Sequence, residues 1–211
     1  MYCPPAFKVE ETDEILDHID RSGLAMLISN GADGPLVSHV PMVLDRSRGA
    51  HGMLAGHLAK ANGHWQAGNA DLPALAVFPG PDAYITPSWY PSKQEHGRVV
   101  PTWNYTVVHV RGPVRFIEDA DWLRNNVSQL TDKHEGRRAE PWAVSDAPDR
   151  FIDMQLKAIV GFELEIASLE GKRKVSQNRD AVDRAGVVAG LDGQDGGAAM
   201  RDLVKAAMDK G

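Results

Sequence analysis

Three stretches of this 211-residue sequence carry residue types suited to chemistry. The first joins Ser38-His39-Val40-Pro41 to Gly56-His57-Leu58-Ala59-Lys60-Ala61-Asn62, which the local pattern places at the ends of two neighbouring strands. Gly56 lets backbone approach a ligand closely. His57, Lys60 and Asn62 can hold a phosphate through charge and N–H donors, more so where a helix begins at Ala59 or Lys60. The same residues also fit a strand end followed by a solvated helix start. The second stretch runs from Tyr84 to Tyr105. Tyr84, Ser88, Trp89, Thr102, Trp103 and Asn104 set hydroxyls and an amide among aromatic planes. That mixture suits a flat heteroaromatic ligand, with the polar loop 91–97 as a lid; it equally suits an aromatic satellite core under a Pro-stiffened loop. The third stretch, Gly171 to Arg179, has four cations and no acid. It would attract an anion (a phosphate, an acidic partner or DNA) or would simply be a charged, solvated turn.

Other chemistries find little support. The eight His are scattered without a His-Glu-x-x-His pair, so no metal site is expected. His39, His57 and His109 alternate with apolar residues, as satisfied half-buried imidazoles do. Ser88 and Ser176 lack a Gly-x-Ser-x-Gly elbow, and no Gly-x-Gly-x-x-Gly follows a strand. No residue is nominated as a general base. The lone Cys3 excludes an intrachain disulfide. A net charge of −6 opposes direct DNA binding, which needs a concentrated basic face.

The elements that must position these residues follow from periodicity. Residues 12–22 carry Ile15, Leu16 and Ile19 on one helical face, with Gly23 at the C-cap position. Short apolar runs at 24–29, 36–44, 50–57 and 74–78, parted by Gly, Asp, Asn and Pro, predict antiparallel strands. A longer strand is expected over 99–117, bent at Gly112-Pro113. Helices are expected over 119–135, 148–158 and 198–207. A strand over 160–169 should bury Phe162, Leu164 and Ile166 and leave Glu163 and Glu165 outward. The fold class is therefore α+β: one domain over 1–211, a small antiparallel barrel with flanking helices. With no apolar run of membrane-spanning length and no signal pattern, no membrane partner and a cytoplasmic location are expected.

These motifs also resemble a known family. Met1-Tyr2…Pro4…Phe7, Gly56-His57…Ala59-Lys60-Ala61-Asn62, Tyr84-Ile85…Pro87-Ser88-Trp89-Tyr90, Val100-Pro101-Thr102-Trp103-Asn104-Tyr105, Pro141-Trp142…Ser145-Asp146, Ala158-Ile159-Val160-Gly161 and Ser176-Gln177-Asn178-Arg179 are similar to the PaiB family of FMN-binding negative transcriptional regulators. The similarity is ordered along nearly the whole chain. Met42 and Arg173 depart from it, standing where the family pattern expects aromatics. The resemblance implies a pyridoxamine 5′-phosphate oxidase-like split β-barrel, a homodimer with FMN at the subunit interface. Ser38, His39 and Val40, with Ala55, Gly56 and His57, would then line the flavin, and Lys60 with Asn62 would hold its phosphate. Lys174, Ser176, Gln177 and Asn178 match the segment that reaches the flavin from the partner subunit. Tyr84, Ser88, Trp89, Thr102, Trp103 and Asn104 are assigned by chemistry and position alone. The implied role is negative regulation through flavin or a small-molecule ligand. The rival is an FMN-dependent oxidoreductase, a flavin reductase or oxidase acting on a small metabolite. A third reading keeps the barrel but gives it haem or another planar ligand.

Overall fold

The acidic residues Asp13 and Glu14 sit in the first turn of the first helix, where a helix N-terminus favours negative charge, and Ile15, Leu16 and Ile19 bury its apolar face. In the computed structural model, which describes residues 1–68 and 71–209, the chain runs in this order. It passes through β1 (Lys8–Val9), α1 (Thr12–Arg21), β2 (Ala25–Gly31), β3 (Gly34–Val40), β4 (Val43–Asp45), β5 (Met53–Ala59), α2 (His64–Ala67), β6 (Ala74–Ile85) and α3 (Ser92–His96). It continues through β7 (Thr102–Gly112), β8 (Val114–Ile117), α4 (Ala120–Glu135), α5 (Asp149–Leu156), β9 (Ile159–Glu165), β10 (Ser168–Lys174), α6 (Ala181–Asp192) and α7 (Gly197–Met208).

Two compact units emerge, each assembled from separated segments. An inner unit comprises Asp13–Phe78 and His109–Leu169; a terminal unit comprises Met1–Thr12, Pro79–Val108 and the chain from Glu170 onward. In the inner unit, β4, β5, β9 and β8 form a four-stranded antiparallel sheet in that order. Gly56 pairs with Phe162, His57 with Gly161, and Arg115 with Glu163. Strand alternation sends Leu54, Leu58, Phe162 and Leu164 into the core. β2 pairs with β3 and with the first part of β6 in the same unit. α4 packs against β4, β5 and β9, and its Leu123 joins Ile152 and Leu156 of α5 in a smaller cluster.

In the terminal unit β1 pairs with β10, Lys8 opposite Lys172. Its core gathers Ile85, Tyr90, Val175, Val187, Leu191, Met200 and Val204, so α6 and α7 supply most of it. Four expectations change here. The 36–44 run divides into β3 and β4, and the 74–78 strand extends to Ile85. Residues 171–174 belong to a strand, not to a solvated turn, and a helix, α6, occupies 181–192. The bend at Gly112-Pro113 is present: a Cβ on Gly112 would lie 1.6 Å from the Glu165 carbonyl oxygen, so only glycine fits.

Candidate functional site

β5 presents Ala55 and His57 toward α4 and buries Leu54, Gly56 and Leu58 on its other face. The close approach that Gly56 permits is made by the protein itself. A Cβ there would meet the Phe162 ring at 2.7 Å and the Pro41 carbonyl at 2.9 Å. His57 Nδ1 lies 3.1 Å from Asn126 Oδ1 on α4. The strand continues through Ala59, and no helix begins at Lys60; α2 starts at His64. Lys60 Nζ pairs with Glu118 at 2.8 Å, and the two side chains are 37% and 58% exposed. Such an exposed pair is weak and exchangeable, so the cation remains available to another anion.

Asn62 and Ser38 are engaged differently. Asn62 Nδ2 donates to Ser38 Oγ at 2.9 Å, and its Oδ1 accepts the His64 N–H at 3.1 Å. His64 is buried and spans Ser38 Oγ at 2.8 Å and Ser29 Oγ at 2.7 Å through its two ring nitrogens. Burial lowers the His64 pKa, favouring a neutral ring. The side chains of Asn62 and Ser38 thus brace the loop that carries Lys60. His64 escaped sequence reasoning; its signal, Ser29 and Ser38 lying diagonally on one face of the β2–β3 ladder, needs the register first. His39 is exposed on β3, and Val40 beside it is buried.

Within the terminal unit the 84–105 stretch divides. Tyr84 and Trp103 are 49% and 54% exposed and pack edge to face, with ring centroids 6.1 Å apart. Trp89 is half-buried and lies on α6, where a Cβ at Gly190 would come within 2.2 Å of its ring; Ser88 is exposed. Lys174 Nζ donates to Thr102 Oγ1 and to the Trp103 carbonyl, and burial, the largest cause, lowers its pKa. Asn104 is fully buried. Its Nδ2 donates to Ser176 Oγ at 2.9 Å, while Oδ1 has no partner. Ser176 has φ of 63°, a left-handed conformation that a serine adopts only under local constraint. Gln177 folds back on its own turn: Val175 N–H donates to its Oε1 at 2.7 Å, and its Nε2 donates to the Arg173 carbonyl. Asn178 is exposed. The structure therefore joins Lys174 to Thr102 and Trp103, Asn104 to Ser176, and Tyr84 to Trp103.

A second feature of the inner unit was not anticipated. Glu163 is 2% exposed. It accepts from Arg48 Nη1 and Nη2 at 2.6 and 3.0 Å, from Arg115 Nε and Nη2 at 3.0 and 2.6 Å, and from Trp122 Nε1 at 3.1 Å. These donors, Arg48 first, pull its pKa down to about 2 against the opposing effect of burial. The cluster rims a cleft of about 750 Å³ that Ala55, alone of the expected flavin residues, helps to line. Among the described residues, no group of three or more His, Cys, Asp or Glu side chains could hold a metal ion. No described helix is long and apolar enough to cross a membrane.

The architecture is that of the flavin-binding split barrels. Two solved structures share it: the FAD and haem binding protein from Mycobacterium smegmatis (TM-score 0.56, 19% identity, 79% of this chain and 73% of that one) and the flavocytochrome Anf3 from Azotobacter vinelandii (TM-score 0.55, 14% identity, 80% and 69%). Residues 1–168 match the family model described as "Putative FMN-binding domain". The chain is 30% identical over 195 residues to the Bacillus subtilis protease synthase and sporulation protein PAI 2, covering 92% of this chain and 91% of that protein. It is also 32% identical to an uncharacterized protein of Emericella nidulans over 238 aligned positions, 95% of each chain. The chain belongs to this FMN-binding family, and it is a PaiB-like split-barrel protein whose cofactor is FMN.

The residues present fit that cofactor. Lys60 offers a cation whose present partner is an exposed, exchangeable carboxylate, and a phosphate dianion is a stronger partner for it. In the terminal unit, the unpartnered Asn104 Oδ1 and the exposed Tyr84–Trp103 pair are the kind of acceptor and aromatic surface a flavin ring uses.

Proposed function

We propose that this FMN-binding protein is a cytoplasmic homodimer that regulates gene expression negatively, acting through its flavin or a small-molecule ligand and not by gripping DNA. The observation that carries this reading is Lys60, held at the end of β5 by the Ser38–Asn62–His64 brace and paired with the exposed carboxylate of Glu118. Lys60 would hold the FMN phosphate, and Ala55 and His57 would stand beside it on β5. The segment 174–178, with Trp103 and Thr102, would meet the flavin of a second copy. Bound FMN supplies reversible hydride and electron chemistry. The chain's own contribution is to fix the phosphate, orient the ring and screen it from water.

The regulatory half of the proposal follows the family resemblance and the relation to PAI 2. The basic segment favours the indirect mode. Lys172 is 7% exposed, stacked over Tyr105 at 4.9 Å and Tyr2 at 5.6 Å, and Arg179 lies 4.7 Å above Tyr90. Cations spent on aromatic rings do not form the open basic face that phosphates need.

The test is purification, an absorbance spectrum and cofactor extraction. The expected product is a yellow protein releasing FMN, and Lys60→Ala should weaken FMN affinity by about 1–3 kcal/mol. A colourless protein that takes up no added FMN, or unchanged affinity in the variant, overturns the site. Flavin bleaching by NAD(P)H with turnover would make the protein an oxidoreductase instead. A salt-sensitive gel shift on a promoter fragment would overturn the indirect mode.

A further inference from the structure

The cleft beside Glu163 has a chemistry of its own. Leu44, Met53 and Ala55 give it an apolar floor of β4 and β5 residues, and α4 forms a wall. Its volume of about 750 Å³ is ample for a small molecule. Asn126, on that wall, is 1% exposed; one terminal atom meets His57 Nδ1, and its Nδ2 has no partner. A buried amide left half satisfied is costly unless something else completes it.

Two turns further along the same wall, Lys133 also lines the cleft and donates to the Met42 carbonyl at 2.9 Å, a bond that uses one of its three N–H groups. The carboxylate that acts on Lys133 from nearby is Asp20, already bonded by Arg46. Burial lowers the Lys133 pKa, as expected for a cation held away from water without a carboxylate of its own. At the rim two guanidinium groups share the Glu163 carboxylate and Asp45 acts on Arg48; over the whole lining Arg46, Arg48, Arg115 and Lys133 outnumber Asp20, Asp45 and Glu163 by one positive charge. Arg115 commits Nε and Nη2 to Glu163 and has further N–H groups to offer.

We propose that this cleft binds a small organic carboxylate with an apolar body. The anionic head is taken by Lys133 and the Asn126 amide, the body lies on Leu44, Met53 and Ala55, and Arg115 serves a second acceptor on the ligand. This deepens the small-molecule reading given above and rests on it for the ligand's role, though not for its place.

The experiment titrates the purified protein with benzoate and with benzamide, its uncharged isostere, by calorimetry, while the absorbance spectrum reports flavin content. Benzoate should bind saturably, with benzamide at least about tenfold weaker, the loss of one charge-assisted hydrogen bond. Lys133→Met should weaken benzoate by a similar factor and leave flavin content unchanged. Gln129→Glu adds a negative charge to the exposed part of the lining, and should weaken benzoate without disturbing the fold even where Lys133→Met does not fold. The proposal is overturned by absence of saturable benzoate binding, by equal binding of benzamide, by variants that bind as the parent does, or by benzoate that displaces FMN. Protein that takes up no added FMN yet binds benzoate in this pattern would refute the cofactor site and uphold the cleft.

Discussion

At Glu163 one carboxylate receives five N–H groups from three side chains, and its acidity is set by them. Its folded pKa of about 2 lies below the ordinary 4.5, so its contribution to stability is complete above pH 4.5 and is lost as the pH falls toward 2. The difference corresponds to about 3 kcal/mol as an upper bound, reduced by water screening at Arg48 and Arg115, which are 43% and 67% exposed. Glu163→Gln should therefore be much less stable than the parent at neutral pH, and the gap should close in denaturant melts as the pH approaches 2. A gap that stays constant with pH would mean the ionised carboxylate is not what the arginines stabilise. Alternation along β9 did place Glu163 opposite Phe162 and Leu164. What it could not show is the cover, because Arg48 lies 115 positions away in sequence. Lys60 was legible because a cation after an apolar strand stands out in an acidic chain. His64 was not, since its partners Ser29 and Ser38 become neighbours only once the strands pair.

Single elements show why some boundaries are written in the sequence and others are not. α4 begins where it was expected, because Asp119 caps it by accepting the Trp122 N–H at 2.8 Å. Asp119→Ala should cost about 1 kcal/mol, seen as a lowered denaturation midpoint with an unchanged slope. The turn from β7 into β8 is equally legible, and harder to alter. Gly112→Ala would press a methyl group into the Glu165 backbone, and a loss of about 3 kcal/mol or more is expected; a variant as stable as the parent would show that the turn can shift. α6 was missed for a reason that is physical. Gly186 and Gly190 look like helix breakers, yet a Cβ at either would collide with Trp89, at 2.0 Å from its carbonyl oxygen and 2.2 Å from its ring. β10 was missed because four cations in nine residues suggest solvent. The rings that cover Lys172, those of Tyr2 and Tyr105, come from distant parts of the chain.

At the scale of the molecule, the family match and the architecture divide the chain differently. The match ends at residue 168, whereas the terminal unit draws Val175, Val187, Leu191, Met200 and Val204 of its core from beyond that point. A chain cut after residue 168 should therefore leave Ile85 and Tyr90 uncovered and bind a hydrophobic dye; a truncated chain that melts cooperatively at the parent's temperature would refute this. The inner unit, by contrast, takes nothing from beyond residue 169. That difference gives the protein an order of birth. During synthesis the inner unit has all its residues once position 169 has left the ribosome, while Ile85 and Tyr90, made long before, wait for α6 and α7 to emerge. Until α6 and α7 have been made, the Ile85 and Tyr90 side of the terminal unit lacks Val187, Leu191, Met200 and Val204 and stays apolar and open, even after the inner unit has all its residues.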